Sequence, residues 1–269
     1  MENKNILFSI ITVSFNSAKT IEKTILSILN QDFKLENIEY IIIDGGSTDE
    51  TINIIKKYEG KFPNYIWISE KDKGIYDAMN KGIQKANGEI IGIVNSDDWL
   101  EGNALSILHE KSSEFNNKKN IYVGSLYFHY LDGSKQFLPM TEIYFSQKKK
   151  KYIMPVRHPA TFVHKDIYKE IGNFDINFKI EADCDFIYRC IENNINFCFI
   201  DQPLSNMLDG GISNNSKYIK LCLKDRHLFF IKRNLSIIKQ SYYILSYSIR
   251  IFLKVLLGTP LIKIYRHIN

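Results

Sequence analysis

One stretch constrains the fold more than any other. Ile90-Ile91-Gly92-Ile93-Val94 runs directly into Asn95-Ser96-Asp97-Asp98-Trp99. An unbroken apolar run of this length reads as a buried strand. In an open parallel sheet, ligands bind at the carboxyl ends of strands, where Asp97 and Asp98 fall. Two adjacent acids repel each other unless a cation lies between them and the ligand. A hard divalent ion, Mg²⁺ or Mn²⁺, held by carboxylate oxygen and shared with a diphosphate, meets that need. On these residues alone a second reading stays open: a turn in which Ser96 and Asp97 cap the following helix.

Similar runs surround this one. Leu7–Ser14 is nearly continuous apolar and β-branched, the pattern of a central parallel strand covered on both faces. The spacing of Ile21, Ile25, Ile28 and Leu29 predicts a helix, with Ser17 as its cap. Ile38–Ile43 predicts a second strand that ends in Asp44-Gly45-Gly46-Ser47-Thr48-Asp49-Glu50. Ser47 and Glu50 have capping-box spacing, so a helix is expected from about Thr48. Tyr65–Ser69 predicts a third strand. This alternation argues for an α/β sheet with right-handed crossovers.

Beyond the polar loop Lys71–Gly74, the residues Ile75, Ala78, Met79, Gly82, Ile83 and Ala86 form one helical face, leaving Asp77, Asn80 and Lys81 on the other. A further helix is expected from about Gly102 to Phe115, and residues 121–140 read as a hairpin turning at Asp132-Gly133. The run Lys148–Lys151 reads as a solvated loop, or alternatively as a contact for phosphate or an anionic membrane. Arg157–His164 looks like a strand entered from a loop, with Asp166 capping a short helix that ends at Gly172. The acids near residue 183 fit a helix N-terminus, and Asn196–Ile200 predicts a late strand.

The chain's 269 residues suffice for one large domain or a domain with an extension. Charge places the boundary, giving an expected body of 1–215 and an extension of 216–269. From Lys217 onward there are eleven Lys and Arg against one Asp, a net of +10; taking that from the chain's +5 leaves −5 for the rest. This tail interleaves its cations with Leu, Ile, Phe and Tyr. Its longest charge-free span, Gln240–Ile249, falls far short of the roughly 20 residues of a spanning helix. It reads as helices lying in a membrane interface, or as a helical hairpin packed on the body. Cys184, Cys190, Cys198 and Cys222 show no CxxC spacing, and Met1–Asn5 runs straight into a strand-like segment. Both features point to a reduced, cytoplasmic setting without a signal peptide. The absence of GxxxxGK[ST] and GxGxxG argues against a P-loop NTPase or a dehydrogenase. A recognisable nucleic-acid reading module is also missing.

Five segments, in order, resemble glycosyltransferase family 2, whose members have the GT-A fold. Ile10–Asn16 looks like the opening strand and its aromatic-Asn end. Asp44–Thr51 is similar to the DGSxDxT signature. Lys73-Gly74-Ile75-Tyr76-Asp77-Ala78-Met79-Asn80-Lys81-Gly82 resembles a segment of enzymes that build capsule, O-antigen of lipopolysaccharide and other surface glycans. Asn95–Asp98 looks like the DxD region. Gly172–Asp175 with Ala182–Asp185 resembles the GxFD…EDxD block. The resemblance spans about residues 6–200 and implies a mostly parallel nucleotide-binding sheet flanked by helices, with the basic, apolar helical extension behind it.

It also implies roles. Ser14, Phe15 and Asn16 would meet the nucleotide, Phe15 by stacking on the base. Asp44 would read a uracil-type edge. Lys73, Asp77 and Asn80 would lie toward ribose and diphosphate, with Asn95 and Ser96 nearby. Asp97, supported by Asp98, would bind Mn²⁺ or Mg²⁺ as a Lewis acid on the leaving group. Asp183 would be the base that takes the acceptor's proton, in an inverting displacement. His158, Glu181 and Asp185 would lie on the acceptor or donor-sugar side; His158 and His164 are equally well read as hydrogen-bonded structural histidines. Two departures stand out: Asn95 replaces the first acid of DxD, and Ala182 replaces the family's Glu, with Glu181 one residue earlier.

The expected activity is sugar transfer from a UDP-sugar to a lipid-linked or growing surface glycan, at the inner face of the cell membrane. The partners implied are a nucleotide-sugar donor, a glycan or polyprenyl-linked acceptor and a membrane surface, without nucleic acid and with oligomeric state open. Two alternatives remain. A nucleotidyltransferase making nucleotide sugars would need a Gly-rich N-terminal loop, and Leu7–Lys19 has no Gly. A non-catalytic nucleotide-sugar or glycan binder would tolerate loss of Asp183.

Overall fold

The computed structural model describes residues 6–115, 119–210, 218–243, 245–246 and 248. Its centre is β1 (Phe8–Ser14), every residue of which is buried. β2 (Ile38–Asp44) pairs with it in parallel on one side and β4 (Ile90–Ile93) on the other, while β3 (Tyr65–Ser69) adds to β2, also in parallel. Beyond β4 the sheet becomes mixed. β8 (Thr161–His164) runs antiparallel to β4 and to β6 (Asn120–His129). β6 then pairs in parallel with β9 (Asn196–Leu208), and β5 (Trp99–Leu100) closes that edge against β9. β7 (Lys135–Leu138) forms the hairpin with β6.

Strand side chains alternate between faces, and the helices divide accordingly. Phe8, Ile10, Tyr40 and Ile42 share one core with Ile21, Ile25 and Ile28 of α1 (Ile21–Leu29), Ile54 and Ile55 of α2 (Thr51–Lys56), and Leu105 and Leu108 of α4 (Ala104–Phe115). Each such side chain, fully buried, contributes about 1.5–3 kcal/mol. Ile11 points the other way, onto α3 (Ile75–Lys85). A Cβ at Gly82 would lie 2.5 Å from Ile11 Cγ2, so only glycine allows α3 this close. α1 and α3 therefore cover opposite faces, and the strand ends form a ledge between them.

Four local expectations are corrected. Ser17 does not cap α1 with its side chain; its hydroxyl meets Ser96 Oγ at 2.7 Å, and the helix starts three residues later than a Ser17 cap would place it. Ser47 forms no capping box, because its hydroxyl is drawn to the Asp44 carboxylate at 2.5 Å. α2 instead begins at Thr51, whose N–H donates to Asp49 Oδ1. Lys148–Lys150 are the last turn of α5 (Glu142–Lys150) rather than a loop, a place where the helix dipole favours cations. α6 (Lys165–Ile171) is capped by His164 Nδ1, which accepts from Asp166 N–H, and not by Asp166.

Packing divides the chain into 1–176 with 183–209, and 177–182 with 210–269. Composition alone puts the boundary at 215/216 and does not place 177–182. In the second unit, α8 (Ile219–Lys232) buries Asp225 and Arg226. Asp225 Oδ2 accepts from the backbone N–H of Lys179, Ile180 and Glu181 at 2.7, 2.6 and 3.3 Å. Among the described residues, no helix is long and apolar enough to cross a membrane; residues 249–269 of the tail lie outside them.

Candidate active site

The ends of β1 and β2 form the first wall. Asp44 has no solvent exposure. Its Oδ1 accepts from Ser14 and Ser47 hydroxyls at 3.0 and 2.5 Å, and its Oδ2 from Gly46 N–H, Ser47 N–H and Ser69 Oγ at 3.0, 2.8 and 2.7 Å. Five donors saturate this carboxylate. In this arrangement Asp44 has no solvent exposure, and both of its oxygens serve the turn. It builds the turn. Ser14 serves that network too. Asn16, at φ 49°, accepts from Thr48 N–H at 2.9 Å, which locks the β1 exit to the β2 exit. Phe15 between them is 62% exposed, an aromatic face presented to solvent.

The second wall is the β4 exit. α1 holds it through a polar stripe: Thr24 Oγ1 donates to Asp98 O at 2.6 Å, Ser27 Oγ accepts from Leu100 N–H at 3.1 Å, and Gln31 Nε2 donates to Glu101 O at 2.7 Å. Asp98 is buried; its Oδ1 accepts from Leu208 N–H at 3.2 Å, tying β9 to this turn. Burial, and then the charge of Asp97, push its carboxyl well above the usual range. Asp98 Oδ1 is thus engaged in holding β9 to the turn. Ser96 is spent on Ser17. Asp97 differs: only its own backbone N–H reaches its carboxylate, and burial raises its pKa. Asn95 Oδ1 is buried without a partner.

Among the described residues, no group of three or more His, Cys, Asp and Glu is gathered that could hold a metal. A lone available carboxylate beside an orphaned amide oxygen is nevertheless what remains where a diphosphate supplies the other ligands. Asp97 fits a divalent cation on those terms.

The third wall lies on the α3 face. Asp183 opens α7 (Ala182–Glu192); its Oδ1 accepts from Tyr76 Oη at 3.0 Å and from Cys184 N–H at 2.9 Å. A small pocket beside it is lined by Ile93, His158, Thr161, Phe174 and Ile187. His158 is partly buried, with its Nε2 enclosed and unpartnered among the described residues. Burial lowers its pKa, against the pull of Asp183, so the ring stays neutral near pH 7.

Other expected residues are engaged elsewhere. Asn80 pins the Phe174 backbone through both amide atoms, at 2.8 and 3.0 Å. Asp77 accepts from Lys73 N–H at 3.0 Å and lies 3.5 Å from Lys81 Nζ; its carboxylate ties the preceding loop to α3 and pairs along the helix. The Lys73 side chain is exposed. Asp185 is buried in an ion pair with Arg189 at 2.9 Å, whose guanidinium also donates to the Ile171, Gly172 and Asn173 carbonyls. Glu181 is buried against Arg226 at 2.5 Å within the second unit. Both acids are held in buried ion pairs.

Two residues escape sequence reasoning. Tyr76 falls outside the apolar face read for α3, and nothing local marks its hydroxyl. Asp72 lies in the polar loop before α3; its Oδ1 accepts from Gly74 N–H at 2.8 Å. The usable signal was the Asp-x-Gly spacing of an Asx turn.

The fold is that of GT-A glycosyltransferases, and the model of the family described as glycosyl transferase family 2 matches residues 9–172. The chain belongs to that family. An uncharacterized glycosyltransferase of Mycobacterium tuberculosis is 33% identical over 192 residues, 67% of each chain. The S. aureus TarS 1–349 structure in complex with UDP-GlcNAc superposes with a TM-score of 0.66 at 18% identity, over 88% of this chain and 70% of that one. The mannosyltransferase PcManGT from Pyrobaculum calidifontis, in complex with GDP-Man and Mn²⁺, gives 0.60 at 16% identity, over 84% and 63%.

Proposed function

We propose that the chain is an inverting transferase that moves a hexosyl or N-acetylhexosaminyl group from a nucleoside diphosphate, UDP in first place, to a hydroxyl of a lipid-linked or growing cell-surface glycan. One observation carries this reading. Asp183 has one oxygen fixed by Tyr76 and the Cys184 N–H of α7, and the other without a hydrogen bond among the described residues. A carboxylate held this way suits a base. It takes the acceptor's O–H proton while that oxygen bonds to the anomeric carbon; the carbon's bond to the diphosphate oxygen breaks with its electron pair, and a single displacement inverts the centre.

Exposed Phe15 supplies a stacking surface for the base, and Lys73 an exposed cation for the diphosphate. Asn95 Oδ1 accepts a ribose hydroxyl. Asp97 holds Mn²⁺ or Mg²⁺, which when bound neutralises charge on the leaving diphosphate. The structural neighbours bound to UDP-GlcNAc, and to GDP-Man with Mn²⁺, support this donor chemistry. Exposed Ile237, Ile238, Tyr242 and Leu245 around Lys239 support contact of the extension with an anionic membrane, where a polyprenyl-linked acceptor resides. On this reading the enzyme works at the cytoplasmic face.

The test is calorimetric binding of UDP, GDP and dTDP with Mn²⁺ and then with EDTA, on wild type and Asp97→Ala. Metal-dependent binding of one nucleotide, lost in the variant, is expected. Binding indifferent to both metal and Asp97 would overturn the metal–diphosphate assignment.

A further inference from the structure

The exposed Phe15 face needs a polar group beside it to tell one base from another. The structure supplies one from a different element. Ser69, the last residue of β3, pairs with Asp44 in the sheet register, and Glu70 N–H donates to Asp44 O at 3.0 Å. The chain leaving β3 therefore passes over the turn that follows Asp44. There Gly45 leaves a gap. A Cβ at this position would lie 2.5 Å from Asp72 Oδ2 and 3.5 Å from Phe15 Cδ2. The Asp72 carboxylate oxygen and the edge of the exposed ring thus border the same point, in space that any side chain at 45 would fill.

The two oxygens of Asp72 have separate fates. Oδ1 is fixed by Gly74 N–H at 2.8 Å, in a turn that needs Gly74 at φ +120°. Oδ2, beside the ring, has no hydrogen-bond partner among the described residues. A planar group stacked on Phe15 would present its edge to an anchored acceptor.

We infer that Asp72 selects the donor's base by accepting a hydrogen bond from an imino N–H, an assignment that rests on the nucleotide-donor reading above. A carboxylate only accepts. Uracil and thymine offer N3–H, and guanine N1–H. Cytosine N3 and adenine N1 present lone pairs there and are repelled. Sites built around one buried or anchored hydrogen bond discriminate strongly against partners that leave it unmade. The donor class is therefore a uridine, deoxythymidine or guanosine diphosphate sugar, and neither a cytidine nor an adenosine one.

The test compares UDP and CDP binding by calorimetry, in Mn²⁺, for wild type, Asp72→Asn and Gly45→Ala. In Asp72→Asn the amide oxygen keeps the bond from Gly74 N–H, and the amide nitrogen takes the place of Oδ2 as a donor suited to cytosine N3. Wild type is expected to prefer UDP by at least about 100-fold. Asp72→Asn should weaken UDP and strengthen CDP, moving the ratio by tenfold or more, with an unchanged melting temperature. Gly45→Ala, by displacing Asp72, should weaken UDP without any gain for CDP. An unchanged ratio in Asp72→Asn, or equal binding of UDP and CDP by wild type, overturns this assignment while leaving the donor reading intact. Failure of wild type to bind any of UDP, GDP and dTDP removes the donor reading and the assignment together.

Discussion

The Tyr76 hydroxyl lies 3.0 Å from Asp183 Oδ1, although the two residues are 107 positions apart. Tyr76 is buried on α3, so its ring position is set by packing and its hydroxyl has a fixed direction. The bond orients the carboxylate, and on the proposed reading its second oxygen is left to the acceptor. Tyr76→Phe keeps the ring and deletes the bond. A hydrogen bond to a charged group is worth about 1.5–3 kcal/mol, so kcat should fall about tenfold or more while the KM for the donor is unchanged. Asp183→Asn should lose about 10²–10⁴ in kcat. Steady-state kinetics of both variants against a fixed acceptor check this; an equal rise in KM with kcat intact would assign Tyr76 to substrate binding instead.

Asp44 organises three chain segments through five donors and has no exposure. Asp44→Ala would strand two backbone N–H groups and three hydroxyls in a dry site, at about 1–3 kcal/mol for each group left unsatisfied. Urea denaturation should show a loss of about 3 kcal/mol or more. A variant as stable as wild type, defective only in nucleotide binding, would return Asp44 to the ligand.

These two residues mark how far the sequence is legible. The apolar runs of β1, β2 and β4 announce their own ends, so the residue pattern alone puts Asp97 and Asp98 just past the carboxyl end of a strand. The N-terminal α/β alternation follows from the same periodicity. Partner choice is not local. Ser47 has capping-box spacing toward Glu50, but the Asp44 charge is the stronger acceptor and redirects it. Glu181 and Asp185 look like members of an active-site cluster, yet cations supplied by Arg226 on α8 and Arg189 on α7 bury them as ion pairs. Charge spacing reveals that acids are near each other, whereas which of them faces a cleft depends on side chains that arrive from distant elements.

Asp98 gives a pH signature. Its folded carboxyl titrates well above 3.8, because of burial first and Asp97 second. Above 3.8 the folded state therefore holds a proton that the unfolded chain has released, and stability falls as pH rises through that window. Asp98→Asn removes this loss and retains a carbonyl for Leu208 N–H. His158 and His164, whose pKa values burial lowers, act in the opposite sense, losing stability as pH falls below 6.5. They are common to both proteins and drop out of the difference. In metal-free buffer, Asp98→Asn should melt about 2–4 °C or more above wild type at pH 7, with the gap closing toward pH 4. A gap that stays constant with pH would mean that Asp98 carries no such penalty.

The extension exposes Ile237 at 80% and Ile238 at 83%, with Lys239 next in sequence. Isoleucines transferred from water into the acyl boundary gain about 1.5–3 kcal/mol each when fully buried, and each nearby cation adds about 1 kcal/mol at an anionic surface. The full-length protein should therefore co-sediment with vesicles containing anionic lipid and much less with neutral ones, and should be released by salt. The double variant Ile237→Asp, Ile238→Asp exchanges apolar burial for like-charge repulsion, and its partitioning should drop by tenfold or more. Binding of soluble nucleotide should be unaffected, because the substitutions lie outside the nucleotide edge of the sheet. If the double variant sediments as well as wild type, these isoleucines do not contact the bilayer, and the acceptor must be brought to Asp183 without help from this surface.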